Sequence, residues 1–93
     1  MSIVNFKCAD TEQLFTTGKC KRFALFASVA ERKLVQLDAA TNLEFLRVPP
    51  GNRLEALKGD RTGQHSLRIN GQWRLCFVWT TQGACNVEIV DYH

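Results

Sequence analysis

The clearest alternation of apolar and polar positions lies in residues 54–79, LEALKGDRTGQHSLRINGQWRLCFVW. Residues 54–57, 65–70 and 72–79 each carry the two-residue period of a strand. The first two are joined by Lys58-Gly59-Asp60-Arg61-Thr62-Gly63, where glycine gives access to backbone angles that other residues avoid. Asn70-Gly71 joins the last two and signals a type I′ hairpin, in which both central residues take positive φ. Such a turn fixes register, and register fixes which side chains share a face. Arg68 alternates with Leu67 and Ile69, and Arg74 with Trp73 and Leu75. The two arginines can therefore stand together on one sheet face, with a core packed on the other.

Earlier in the chain the pattern changes. Residues 3–7, IVNFK, alternate and predict a first strand. Asp10-Thr11-Glu12-Gln13 predicts a helix start, with Asp10 as cap and Gln13 at the capping-box position, and Gly18 ends that helix. Over residues 23–40 the apolar positions Phe26, Val29, Ala30, Leu34 and Leu37 follow helical steps. Arg32 and Lys33 fall off that stripe. They are a solvated face in the plainer reading and an RNA-facing patch in the sharper one. Residues 43–46 predict one more turn, and Pro49-Pro50-Gly51-Asn52 stops any helix. After another turn at 80–83, residues 84–92 predict a final strand, with Val87 and Ile89 on one side and Glu88 and Val90 on the other. The expected fold class is α+β, in the order β-α-α-β-β-β-β: two helices packed on one side of a twisted, mainly antiparallel sheet. The other face is expected to be open, concave and partly basic.

A length of 93 residues suits a single domain spanning 1–93. The net charge of +3 permits a nucleic-acid or acidic partner without demanding one. Its distribution says more, because Lys58, Arg61, Arg68 and Arg74 fall within one short segment. The four cysteines form no CxxC pair and there are two histidines, so no metal site is expected. Residues 1–20 hold no apolar signal region, and no apolar run approaches membrane-spanning length. A reduced cytoplasm is the expected location, with no membrane contact.

Parity places Glu55, Arg68 and Arg74 on comparable faces. One reading is a structural ion-pair cluster. The other is a phosphodiester site, where arginines bind a phosphate and stabilise transition-state charge while the carboxylate takes a proton from a ribose 2′-hydroxyl. Asp91-Tyr92-His93 adds groups that can move protons or stack on a base. Strict alternation splits this trio, with Tyr92 on one face and Asp91 and His93 on the other; a frayed tail is the competing reading. His65 alternates away from Arg68 and is expected to be structural. GDRTG lacks the lysine and spacing of a phosphate-binding loop, and no serine occupies a nucleophile elbow. No cofactor is expected, and metal-free acid–base chemistry is the enzymatic reading these residues support.

The segments NRLEALKGDR, SLRINGQWRLCF and the terminal VDYH, taken in order, resemble the HigB group of the RelE/ParE toxin superfamily. VAERKLVQLDAAT is similar to the second helix of that group, so the resemblance runs through nearly the whole chain. It implies a RelE-like microbial RNase fold and a toxin of a type II toxin–antitoxin module. Such toxins cut mRNA in the ribosomal A site without metal, leaving a cyclic phosphate and a free 5′-hydroxyl. The implied partner is a HigA-type antitoxin with a helix-turn-helix, through which the complex reaches operator DNA. Carried over by position, the acid–base residue falls on Glu55 and the phosphate-stabilising arginines on Arg68 and Arg74. Lys58 and Arg61 stand as supports, and the terminal catalytic residues fall on Asp91, Tyr92 and His93. Two rivals remain: a ParE-like inhibitor of DNA gyrase that cleaves nothing, and an attenuated toxin acting mainly in operon repression.

Overall fold

The computed structural model describes residues 2–91. Helix α1 spans Ala9–Thr17 and α2 spans Ala27–Ala39. Strands β1 (Glu55–Ala56), β2 (His65–Arg68), β3 (Trp73–Thr80) and β4 (Gly83–Asp91) form one antiparallel sheet in the order β1-β2-β3-β4. The α+β expectation therefore holds. Both helices join one core with the sheet, built from Leu14, Phe23, Leu34, Leu37, Leu67, Leu75, Phe77 and Ile89 among others. The helical stripe is as its spacing predicts, with Ala30, Leu34 and Leu37 buried.

The first predicted strand is not one. Residues 3–7 run beside β4 in parallel but make only two isolated bridges, Ile3 with Ala84 and Phe6 with Val87. The cause lies on β4, where Asn86 takes a left-handed conformation at φ 53°. Its amide turns to the Asn5 side chain, which interrupts the ladder between the two bridges. Gly83 lets the two chains approach here, because a Cβ at that position would lie 1.9 Å from the Ser2 carbonyl oxygen.

Helix α1 starts without the predicted capping box. Cys8 is its N-cap and caps with no side-chain bond, while Asp10 lies inside the first turn and pairs with Arg22 at 3.4 Å. Buried Thr11 instead accepts a hydrogen bond from the Ile89 amide at 3.0 Å, tying α1 to β4. The C-terminal expectation holds, with Gly18 left-handed at φ 75°. The helix predicted from residue 23 begins at Ala27. A 3₁₀ segment, Lys21–Phe26, precedes it, and Phe23 and Phe26 depart from helical angles. That break turns both rings onto Trp73, with centroids 5.8 and 5.2 Å away.

The 69–73 connection also departs from expectation. Neither Asn70 nor Gly71 has positive φ, so the turn is not type I′. The Asn70 side-chain oxygen accepts from the amides of Gln72 and Trp73 at 2.8 and 2.9 Å. This amide bracket supplies the turn that the backbone would otherwise have made. The pairing shifts by one residue with it: a two-residue turn at 70–71 would set Arg68 opposite Trp73, whereas Arg68 pairs directly with Arg74 and Leu67 with Leu75, which puts the two arginines on one face.

Candidate active site

In an antiparallel sheet, directly paired residues point to the same side. Glu55 pairs with Ser66, Ser66 with Cys76, and Cys76 with Glu88; one row along, Arg68 pairs with Arg74 and Arg74 with Val90. Glu55, Ser66, Arg68, Arg74, Cys76 and Glu88 thus share the face away from the helices. That face is not open along its middle, as the alternation predicted. Ser66 and Cys76 are fully buried, and the Arg74 and Glu88 side chains keep only 12% and 14% of their exposure. Arginine and glutamate side chains close over it because their long stems cover the small residues beneath.

Arg74 is held on three sides. Its Nε donates to the Ser66 hydroxyl at 2.7 Å, and its Nη2 donates to the Arg53 carbonyl at 2.8 Å. The same Nη2 lies 3.0 Å from Glu55 Oε1. Arg74 Nη1 has no partner among the described residues. Arg68 is half-buried, and its guanidinium makes no hydrogen bond or ion pair among the described residues. Two guanidiniums directly opposed across strands repel each other, with Cβ atoms about 4.5–5.5 Å apart. One carboxylate offsets one of these charges, so the pair retains a surplus positive charge and free donors. An oxyanion is the ligand this arrangement favours.

The Arg53 carbonyl is presented by a short 3₁₀ turn, Pro50–Asn52. Fully buried Asn52 anchors that turn. Its Nδ2 donates to Gln36 Oε1 and the Leu46 carbonyl, both at 3.0 Å, and its Oδ1 accepts from Lys33 Nζ. Lys33 is thus committed to holding a loop. Burial, and secondarily the nearby Arg32 charge, push its pKa down. Arg32 is exposed on the same helix. Both sit on α2 and neither bonds to Arg68 or Arg74; Lys33 reaches the site only through Asn52, the residue before Arg53.

The other predicted residues divide. Arg61 Nη1 donates to Gln64 Oε1 at 3.1 Å and lies 3.6 Å from Glu88 Oε2. Lys7 lies 3.5 Å from the same oxygen. Lys58 is exposed with no side-chain partner among the described residues. Between these groups, burial raises the Cys76 thiol pKa. Asp91 pairs with Trp73, on the helix-facing side, and accepts from Gln72 Nε2 at 2.9 Å. Alternation, which separated Asp91 from Tyr92, gives this placement for Asp91. Tyr92 and His93 lie outside the described residues. His65 stacks on Phe77 on the core side, as its parity predicts.

Sequence reasoning missed Ser66 and Arg53 as partners of Arg74. Ser66 had a signal, two positions before Arg68 on the same strand face. Arg53 had none, because its part depends on a loop folded back from another region. An open pocket of about 490 Å³, lined by Asp38, Trp79 and Thr80 among others, includes none of the predicted site residues. Among the described residues no cluster of His, Cys, Asp and Glu could hold a metal ion, and no helix is long and apolar enough to cross a membrane.

The chain is 42% identical to Toxin HigB-1 of Vibrio cholerae serotype O1 over 90 residues, covering 92% of this chain and 93% of that protein. An uncharacterized protein of Haemophilus influenzae is 36% identical over 61 residues, covering 66% of this chain and 60% of the other. The family model described as RelE-like toxin of type II toxin-antitoxin system HigB matches residues 4–93. The chain therefore belongs to the HigB family of RelE-like toxins of type II toxin–antitoxin systems, a membership that implies an antitoxin partner.

Proposed function

We propose that the protein is a ribosome-dependent mRNA endoribonuclease that arrests translation in the cytoplasm. The observation that carries this reading is the directly opposed pair Arg68 and Arg74, with Arg74 fixed and Glu55 3.0 Å from it. The substrate is a codon in the ribosomal A site. The ribose 2′-oxygen attacks the adjacent phosphorus as Glu55 takes the hydroxyl proton. Glu55 Oε2 has no partner among the described residues and suits that task. The new O2′–P bond forms and the P–O5′ bond breaks, giving a cyclic phosphate and a 5′-hydroxyl. Tyr92 or His93 supplies the proton to the departing O5′. Arg68 and Arg74 bear the extra charge of the transition state. Lys58 and Arg61 support the RNA strand, and no step passes through a metal.

The ribosome aligns the codon, an entropic contribution that a chain of 93 residues does not make alone. Cleavage of naked RNA is accordingly slight. In the cell the partner is a HigA-type helix-turn-helix antitoxin, which neutralises the toxin and carries the complex to operator DNA. The test is incubation of the protein with mRNA-programmed ribosomes in EDTA, followed by mapping of the cut ends. A-site cuts ending in cyclic phosphate are expected. Intact mRNA under those conditions overturns the proposal.

A further inference from the structure

Two non-glycine residues among those described adopt left-handed backbone angles, Asn86 at φ 53° and Arg53 at φ 45°. Asparagine enters that region readily, because its short amide bonds to nearby backbone. Arginine gains nothing comparable there, and a strained non-glycine residue beside a candidate site points toward function. The backbone duties of Arg53 do not require arginine. Its amide donates to the Pro50 carbonyl at 3.1 Å and its carbonyl accepts from Arg74 at 2.8 Å. Glycine would perform both without strain. The reason for arginine must therefore lie in its side chain.

That side chain is exposed, and its guanidinium has no hydrogen bond or ion pair among the described residues. It is rooted next to Arg74, on the rim of a site already holding Arg68 and Glu55. Resting on the nuclease reading, we infer that Arg53 is a further RNA contact: its carbonyl positions Arg74, and its guanidinium grips a backbone phosphate flanking the scissile one. A flanking phosphate is the ligand of choice because Arg68 and Arg74 already take the central one. A planar fork of donors suits a phosphodiester better than a point charge does.

The experiment uses the full chain and two variants, Arg53→Gly and Arg53→Lys. Glycine keeps the carbonyl and the left-handed turn while removing the charge; lysine keeps the charge and the strain. For Arg53→Gly on programmed ribosomes, KM is expected to rise roughly tenfold with kcat nearly retained, as for loss of one charge-assisted contact. Binding to a single-stranded RNA is expected to lose about 0.7 from its slope against log salt. Arg53→Lys recovers most of both, and the thermal midpoint of Arg53→Gly stays at or above that of the parent. Unchanged KM and salt slope overturn the inference while wild-type cleavage leaves the nuclease reading standing. A fall in kcat at constant KM also overturns it, because the guanidinium then acts on the chemical step and not on binding of the strand. If the wild type cuts nothing, the nuclease reading falls first. The salt slope then decides Arg53, with an unchanged slope counting against it.

Discussion

Arg74 spends Nε on Ser66 and Nη2 on Arg53 and Glu55, leaving Nη1 for a ligand. Its value to the reaction depends on being fixed before substrate arrives, since preorganised charge needs no rearrangement in the transition state. Arg74→Ala is expected to lose roughly 10²–10³ in single-turnover rate on programmed ribosomes. Ser66→Ala removes one restraint from Arg74 and nothing from the substrate. It should cost about 1 kcal/mol of stability by urea unfolding, plus a smaller loss of rate. The double variant should be no slower than Arg74→Ala alone, because Ser66 acts through Arg74. Additive losses would show that Ser66 acts separately. Cys76 allows a second check, in stability. Burial raises its folded-state pKa above the ordinary 9.0, so the unfolded thiol ionises first as pH climbs. Its contribution is complete below pH 9.0 and is lost as pH rises through the folded pKa. Cys76→Ala should therefore weaken the alkaline fall in stability, measured by urea titrations across that range.

At the scale of elements, two glycines are expected to respond oppositely to alanine. At Gly71 φ is not positive, and the nearest atom to an added Cβ is Arg68 Nη2 at 4.0 Å. Gly71→Ala should be neutral or stabilising by about 0.4–1 kcal/mol through the unfolded state. At Gly83, φ is 130° and an added Cβ meets the Ser2 carbonyl at 1.9 Å. Gly83→Ala should cost more than the first substitution gains, on the order of 1–3 kcal/mol, by prising residues 2–7 from β4. Thermal unfolding of both variants checks the pair. A type I′ turn would have made Gly71→Ala destabilising as well. This contrast also shows what alternation reveals and what it hides. Strand order and the separation of Asp91 from the Arg68 face follow from a period of two. The Arg68–Arg74 pairing does not: a two-residue Asn70-Gly71 turn would set Arg68 opposite Trp73 and send Arg74 to the other face, and the longer connection shifts the pairing by one residue. The turn conformation does not follow, because the Asn70 side chain took over the bonding. The late start of α2 was hidden too, since Phe23 and Phe26 leave helical angles to reach Trp73, a partner 47 residues beyond Phe26. Arg53 and Asn52 gave no periodic signal, and their parts in the site come entirely from tertiary contacts.

For the whole molecule, the proposed activity and the antitoxin interaction should be separable. Glu55, Arg68 and Arg74 lie on the face away from the helices, whereas α1 and α2 cover the other side of the core. A substitution that disables the chemistry without touching the core should leave a folded toxin that its antitoxin still recognises. Glu55→Gln is the cleanest case: it preserves shape and removes the proposed proton acceptor at a side chain that is 58% exposed. Expression of the wild type alone should arrest growth, and co-expression of its antitoxin should relieve the arrest. Glu55→Gln and Arg74→Ala should relieve it without antitoxin, while still co-purifying with antitoxin when both are expressed. That combination distinguishes the nuclease from its two rivals by one set of strains. An attenuated toxin would arrest growth in neither form. A gyrase inhibitor acting by contact alone would keep its toxicity in Glu55→Gln, because removing a proton acceptor does not alter a binding surface of the same shape, and supercoiling assays would then show the inhibition directly.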